Sequence, residues 1–318
     1  MNAVDHNNVV IFDDRGIPSI MCRFVRPKDT EEVPAVFKIG DKVADAIYIS
    51  KYPNIVIDGR AYSMPMADPT VNITFDGAVQ ACRCKGLGWH LMTAVEYEYL
   101  LNQSREKGTM PHGNTDWGKD YYHNDEQGKV SNLGRTYTGT GPVTWNHDHT
   151  PYGVSDLNGN VWEWLAGLRI KDGVIEFIPD NKAASPYCDL SKDSAEWQQA
   201  ETSKGPVRAN VECGEITITD AVAADDYEPD YDGVRIEKLE VELSEIPQVL
   251  KDLGIIPDKR AEEEGKTYVY FDATEGEYMP IRGSAFNNTS NSGPSALAWI
   301  TLVPTRTAAL VSAPLFMR

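Results

Sequence analysis

The segment Gly153–Ile170, GVSDLNGNVWEWLAGLRI, constrains the fold of this chain more than any other part of it. Trp162 and Trp164 alternate along what reads as a short strand, so both side chains can fill one face of a core. Gly159 permits a turn with positive φ just before that strand. We therefore expect a β element that is pinned by aromatic side chains and entered through a tight loop.

Polar residues surround these tryptophans. Asn158 and Asn160 are expected to bond to exposed loop backbone. Asp156 and Glu163 are expected to be buried partners for loop amides or for Arg282. A metal-ligating role for Asp156 or Asn160 is the alternative to plain hydrogen bonding, which we favour.

Composition narrows the classes of partner. The chain has 318 residues, 41% of them hydrophobic, and a formal net charge of −18. A field of that sign repels nucleic acid and anionic lipid, so neither is expected as a partner. The N-terminus shows no signal peptide, and no stretch approaches the roughly 18 apolar residues of a membrane span. We expect cytoplasmic synthesis, with the product virion-associated or surface-exposed.

The five cysteines are irregularly spaced. Cys82 and Cys84 point to different faces of a predicted helix, so they do not form a disulfide easily. Because no pair of CxxC motifs exists, a structural zinc site is not expected. Reduced thiols are the favoured interpretation.

The elements of the first half follow from their patterns. A small N-terminal segment, residues 1–46, contains two predicted strands, and it is either an attachment element or the first strands of the main fold. Residues 46–53 read as a strand, and residues 74–86 as a helix that starts near Thr74. Residues 90–108 read as a second helix with a Thr93–Glu96 capping box. Its predicted apolar stripe is Ala94, Tyr97, Leu100 and Leu101.

The second half is less regular. Residues 109–152 are rich in Gly, Asn, Asp, Trp and Tyr, which is typical of a long ordered loop. An acidic insertion at about 180–265, expected to be mainly solvated surface, contains a strand and a short helix within residues 238–256. Residues 267–273 and 279–286 read as strands, and the chain ends in a polar tail that is rich in Ala, Ser, Thr and Asn.

Four segments in this order resemble one family. They are IYISKYP (Ile47–Pro53), PTVNITFDGAVQACRCKGLGWHLMTAVEYEYL (Pro69–Leu100), YGVSDLNGNVWEWLAG (Tyr152–Gly167), and RGSAF (Arg282–Phe286) with a terminal LFMR. The family is the formylglycine-generating enzyme, or sulfatase-modifying factor, group. The resemblance implies an α+β chain with a C-type-lectin-like fold of that subtype, made of mixed short strands, two helices and long ordered loops. The domain would span residues 47–318.

The same resemblance argues against the oxidase activity of the family. Its oxidase members use two cysteines near the final strands, whereas residues 214–318 here contain none. Without a thiolate there is no copper ligand and no covalent partner for substrate. His147 and His149 form the closest histidine pair, but a solvated polar loop is favoured over a metal site. We therefore expect no enzyme activity, no catalytic residue, no metal and no cofactor.

The composition of the tail indicates a ligand-binding role instead. Residues 285–313 contain no Lys, Asp, Glu, Gln or Met, and small polar residues surround Phe286 and Trp299, as in antibody-like recognition loops. The layout also resembles the variable proteins of diversity-generating retroelements, in which randomised Asn codons yield neither Lys, Glu, Gln, Met nor Trp. That resemblance makes Trp299 a fixed position. It implies a ligand-binding variable region at about 282–318, and a protein or glycan receptor on another cell or particle as the partner. The predicted scaffold residues are Trp162, Trp164, Gly159, Asn160 and Arg282, and the predicted ligand-binding residues are Ala285, Phe286, Asn287, Asn288, Asn291, Ala298, Trp299, Ile300, Thr301, Ala308, Ala309 and Leu310.

Overall fold

The computed structural model describes residues 6–224, 226–300, 307–309 and 311–315. Within these ranges the chain is mostly sheet, with helices α1 (Phe75–Arg83), α2 (Ala94–Lys107) and α3 (Gln248–Asp252). Short 3-10 helices lie at Ala35–Phe37, Val143–Trp145, Pro179–Ala184, Ile236–Lys238, Glu262–Lys266 and Thr289–Asn291. The strands are, in chain order, β1 (His6–Phe12), β2 (Pro18–Val25), β3 (Lys38–Ile39), β4 (Lys42–Val43), β5 (Ala46–Ser50), β6 (Ile55–Ile57), β7 (Arg60–Tyr62), β8 (His90–Leu91), β9 (Trp162–Trp164), β10 (Leu168–Lys171), β11 (Val174–Phe177), β12 (Gln198–Gln199), β13 (Glu201–Thr202), β14 (Gly205–Pro206), β15 (Arg208–Glu212), β16 (Glu215–Thr219), β17 (Tyr231–Arg235), β18 (Glu240–Glu242), β19 (Tyr268–Asp272), β20 (Glu277–Arg282), β21 (Leu297–Ile300), β22 (Thr307–Ala309) and β23 (Val311–Leu315).

A five-stranded sheet in the order β1-β2-β5-β23-β8 brings the two ends of the chain together. Strand β2 runs antiparallel to β5, with Met21 opposite Ser50, and β23 flanks the other side of β5, with Ser312 opposite Ile49. Both predicted N-terminal strands are present. Since β2 pairs directly with β5, the structure does not set residues 6–46 apart; they are the first strands of the main fold.

A twelve-stranded sheet follows the path β17-β19-β21-β20-β10-β11-β15-β16-β18. The short strand β9 branches from this path and pairs antiparallel with β20 and parallel with β22. Both Arg282 and Ala308 lie opposite Glu163 in these pairings. Strand β9 therefore lies between β20, which leads into the RGSAF segment, and β22 of the tail.

The acidic segment at about 180–265 contributes to the core. Strands β15, β16 and β18 extend the large sheet, and Val211, Ile216 and Ile218 are fully buried. The expectation of a mainly solvated surface is therefore corrected. Alternation along β15 and β16 buries Val211, Ile216 and Ile218 and leaves Glu212 and Glu215 exposed.

Helix α2 has the predicted capping box. The Thr93 hydroxyl accepts a bond from the Glu96 amide at 3.2 Å, and the Glu96 carboxylate accepts one from the Thr93 amide at 2.9 Å. The helix begins later than predicted, because His90 lies in β8 and pairs with β23. No helix in the described residues is long and apolar enough to cross a bilayer. The predicted stripe is buried: Ala94, Tyr97, Leu100 and Leu101.

Candidate functional site

Strand β9 and the turn before it form the frame of the site. The Trp164 side chain is fully buried, packs edge-to-face on Phe75 at 5.8 Å, and donates its indole N–H to the Ile73 carbonyl at 2.9 Å. Trp162 is only half-buried, so the two tryptophans differ in exposure, although both contact the same core cluster. Gly159 has a φ of 74°, and an added Cβ would lie 2.1 Å from the Asn114 carbonyl oxygen, so the turn requires glycine.

Asn160 joins this turn to the long loop of residues 109–152. Its side-chain oxygen accepts from the Thr136 amide at 2.8 Å, and its side-chain nitrogen donates to the Thr136 carbonyl at 3.1 Å. Its own carbonyl accepts from the Phe286 amide at 3.2 Å. One side chain and one carbonyl thus connect the frame to both surface loops, in agreement with the predicted bonding to loop backbone.

The loop that follows β20 is held by backbone bonds to the long loop. The Trp117 amide donates to the Phe286 carbonyl at 2.8 Å, and the Thr289 amide donates to the Thr115 carbonyl at 2.9 Å. Within the loop, the Asn288 side chain accepts from the Ala285 amide at 2.8 Å. These bonds fix the loop, which contains only the 3-10 turn Thr289–Asn291, to the long loop.

The start of this loop lines an open cleft of about 650 Å³, which we call the 285–288 cleft. Its other walls are supplied by the long loop and by the frame. The Phe286 ring packs edge-to-face against Trp117 at 4.9 Å, and Trp117 is itself 58% exposed. The lining residues are Val71, Arg135, Asn160, Val161, Trp162, Ala285, Phe286, Asn287 and Asn288.

The predicted ligand-binding residues do not all lie together. Residues 285–288 share the cleft, and Asn291 lies half-buried further along the loop. Ala298 and Trp299 are buried in β21, and Trp299, 1% exposed, packs against Phe271 at 5.8 Å. The structure therefore places these two side chains in the core, where they do not reach a ligand at the cleft.

The remaining predicted positions lie at or beyond the end of β21. Ile300 is half-buried at the end of that strand. Ala308 and Ala309 belong to β22, whose backbone pairs with β9. Thr301 and Leu310 lie outside the described residues.

Exposed aromatic side chains of the long loop were not among the predicted site residues. Trp117, Tyr121 and Tyr122 are each more than 40% exposed, and the Tyr122 hydroxyl donates to the Ser290 carbonyl at 3.1 Å. The abundance of Trp, Tyr, Gly and Asn in residues 109–152 was the available signal. That composition does not reveal which loop contacts the tail, because the residues that form the contact are far apart in the sequence.

Two buried carboxylates lie beside the frame. Asp156 accepts from the Gly139 amide at 2.9 Å, in agreement with the predicted partnership with a loop amide. Neither carboxylate oxygen of Glu163 has a hydrogen-bond partner among the described residues. The alternative of a pairing with Arg282 is met by neither carboxylate: Arg282 bonds the Glu98 carboxylate at 3.1 Å and donates to the Gly254 carbonyl at 3.1 Å.

Burial raises the pKa of Asp156 to about 6, and burial together with the nearby Asp156 raises the pKa of Glu163 well above its usual range. An unpartnered buried carboxylate next to a second one is chemically suited to a hard cation such as calcium, which takes oxygen ligands. Asp156 and Glu163 are therefore the residues that could hold such an ion.

His147 and His149, the closest histidine pair in the sequence, do not lie in one site. His147 is buried against Phe24, with Nδ1 accepting from the Val154 amide at 2.9 Å, whereas His149 lines a surface pocket. No group of three His, Cys, Asp or Glu residues with metal-binding geometry occurs in the described part of the chain.

All five cysteines are unpaired thiols. Burial raises the pKa of both Cys22 and Cys82 to about 12, so these thiols stay protonated and poorly nucleophilic at neutral pH. None of the five lines the 285–288 cleft. The cleft thus offers aromatic surface, amides and one guanidinium, a set of groups suited to binding.

Comparison with known proteins identifies the class of domain. Residues 51–208 match the FGE-sulfatase family, described as the sulfatase-modifying factor enzyme 1-like domain. This part of the chain is therefore similar to the FGE-sulfatase domain, and the similarity implies a C-type-lectin-like fold. A relative is the formylglycine-generating enzyme of Mus musculus, 36% identical over 105 residues. The match covers 31% of this chain and only 27% of the mouse protein.

Proposed function

We propose that this chain is a non-catalytic recognition protein whose C-terminal region forms the binding face. The observation that carries the proposal is the 285–288 cleft, in which loop residues of the tail meet Trp162 and Asn160 on a rigid frame. Small polar residues around aromatic anchors are the composition of adaptable binding surfaces. The partner is a protein or glycan on another cell or particle.

We further propose that the tail is diversified by a retroelement. Residues 285–313 lack the residues that randomised Asn codons do not encode, apart from Trp299. The burial of Trp299 in the core supports its place as a fixed position, because a core tryptophan tolerates little substitution. Exposed Asn287 and half-buried Asn288 and Asn291 are suited to variation, since their side chains carry little of the packing.

Sequencing this gene deeply across a population of its source tests the proposal. Substitutions concentrated at codons 287, 288 and 291, with Trp162, Trp164 and Trp299 constant, are the expected result. Ala285 and Phe286 line the cleft but are buried, so less variation is expected at these two positions. A tail as invariant as the core would contradict diversification. A fixed binding face would then have to be established by partner capture with cleft variants.

An enzyme of the wider family is the second candidate, and the match to the mouse formylglycine-generating enzyme is the observation that favours it. Against it stands the absence of cysteine from residues 214–318. Stoichiometric copper or iron in the purified protein would favour the enzyme over the recognition protein. A purely structural particle protein would instead tolerate every cleft substitution without loss of a partner.

A further inference from the structure

A second cavity, of about 640 Å³, lies on the other side of the loop at residues 289–291. His112, His123 and His149 line it together with Asn158, Glu263 and the main chain of residues 292–294, and we call it the histidine pocket. The rings of His112 and His123 stack at 3.6 Å with planes 6° apart. None of these groups takes part in the 285–288 cleft.

The neighbours of the three imidazoles determine which nitrogen of each ring carries the proton. His112 Nδ1 lies 3.0 Å from the Glu126 carboxylate, and His123 Nδ1 lies 3.2 Å from the Asp120 carboxylate. Carboxylates accept hydrogen bonds, so each neutral ring carries its proton on Nδ1 and leaves the lone pair of Nε2 available.

His149 has the opposite arrangement. Its Nε2 lies 3.1 Å from the Met110 carbonyl oxygen, so Nε2 donates and the Nδ1 lone pair is available. The three rings therefore contribute acceptors to the lining of the pocket.

Asn158 adds a fourth acceptor. Its side-chain nitrogen donates to the Pro111 carbonyl at 3.0 Å, which fixes the orientation of the amide. Its side-chain oxygen is buried and has no hydrogen-bond partner among the described residues, and the residue is only 7% exposed. A buried acceptor without a donor is costly, by about 1–3 kcal/mol, unless a ligand or water supplies the donor.

The other polar groups of the pocket supply few free hydrogen-bond donors. The hydroxyls of Tyr122 and Thr267 already donate to the carbonyls of Ser290 and Ser292. Glu263 adds an exposed carboxylate at the rim. The Lys266 ammonium lies 5.3 Å from the centre of the Tyr122 ring, and Lys266 is not among the residues that line the pocket.

A transition metal suits the pocket poorly. The lone pair of an imidazole lies in the plane of its ring, so the lone pairs of two stacked, nearly parallel rings run side by side and do not converge on one ion. An ammonium group tolerates this arrangement better, because its three N–H donors point in different directions and hydrogen bonds accept a wider range of angles at the acceptor than metal–nitrogen bonds do.

We propose that the histidine pocket binds a protonated primary amine, either a free amine or the side chain of a lysine. Four acceptors and a rim carboxylate match an N–H donor of positive charge, and the net charge of −18 attracts such a ligand. The inference deepens the proposed function, on which it rests, because residues 292–294 of the tail region form one wall.

Titration calorimetry of the full chain with n-butylamine, n-butanol and tetramethylammonium tests the proposal. Saturable binding of one butylamine, with neither n-butanol nor tetramethylammonium binding comparably, is expected because only butylamine combines charge with N–H donors. Adding Nα-acetyl-lysine methylamide identifies the source of the amine. Tighter binding of this compound assigns the pocket to a lysine of a protein partner, and weaker binding assigns it to a free amine.

Adjacent glutamates provide a matched pair of variants. Glu263→Gln removes the rim carboxylate and should weaken butylamine binding about three- to tenfold, whereas Glu262→Gln, also exposed but outside the pocket, should leave it unchanged. His123→Phe keeps the stacking on His112 and removes one acceptor, so it should also weaken binding.

Three results would overturn the proposal: equal binding of n-butanol, equal loss in both glutamine variants, or stoichiometric zinc binding that butylamine does not displace. The two proposals fail separately. Asn287→Ala alters the 285–288 cleft and should leave butylamine binding unchanged. Loss of binding to the natural partner in this variant therefore tests the proposed recognition face separately from the histidine pocket.

Discussion

At the scale of single residues, the two buried carboxylates Asp156 and Glu163 are the least conventional feature of the frame. A carboxyl whose pKa is raised by folding holds its proton more tightly in the folded state than in the unfolded state. Its stabilising contribution is therefore present below its unfolded pKa and is lost as the pH rises through its folded pKa. For Asp156 that window runs from about pH 4 to about pH 6, because burial raises its pKa from 3.8 to about 6.

We predict that Asp156→Asn becomes more stable relative to the wild type as the pH rises from 4 to 7 in the presence of a chelator. The expected change in the difference between their free energies of unfolding is about 2–3 kcal/mol, because the amide removes the cost of ionising a buried group. The amide oxygen can still accept from Gly139. Urea unfolding at both pH values measures the difference.

The exposed Asp193→Asn variant is the control and should show no such trend. If the difference between Asp156→Asn and wild type is the same at pH 4 and pH 7, the predicted protonation of Asp156 is wrong.

At the scale of elements, helix α2 links the core to both surface loops. The Tyr97 hydroxyl on this helix lies 2.9 Å from the carbonyl oxygens of Leu157 and Pro294, one before the frame turn and one in the tail loop. Its capping carboxylate, Glu96, also bonds His90 of β8 at 3.0 Å. The start of α2 thus contacts both the segment before the frame turn and the loop after β20.

Thr93→Ala should destabilise the protein by about 1 kcal/mol, because it removes the hydroxyl that accepts the Glu96 amide at the start of the helix. Thr93→Ser keeps the acceptor and should cost much less. Chemical denaturation of the two variants, compared at one pH, measures the effect. Equal losses would mean that packing of the threonine methyl group, and not capping, dominates at this position.

At the scale of the whole molecule, the ends of the chain share one sheet. Strand β5 lies between β2 from the N-terminal part and β23 from the C-terminal part. Met21, Cys22 and Phe24 of β2 are fully buried. The tail is consequently anchored at two places, through β22 on β9 and through β23 on β5.

Deleting residues 1–27 should abolish cooperative unfolding, because it removes β1 and β2, exposes an edge of β5 and empties part of the core. Calorimetry and hydrogen exchange of the truncated chain measure the outcome. A shortened domain that unfolds cooperatively at a temperature close to that of the full chain would restore the interpretation of this region as a separate attachment element.

The local features of this protein were predictable from its sequence. The capping box at Thr93, the glycine turn at Gly159 and the buried Trp164 each depend on residues within a few positions of one another. Short-range spacing determines helix caps, turns and alternation along a strand, so these follow from the sequence without knowledge of the rest of the fold.

Only the tertiary structure decided which distant residues meet. It placed Glu98, rather than a carboxylate of the frame, against Arg282, buried Ala298 and Trp299 in the core, drew the acidic segment into the large sheet, and brought His112 and His123 into one pocket with Asn158. These outcomes depend on strand order and on the path of a long loop without periodicity. The sequence alone indicated which family the frame resembles, because that resemblance depends on short motifs, and the long-range pairing of strands determined the surfaces that the frame presents.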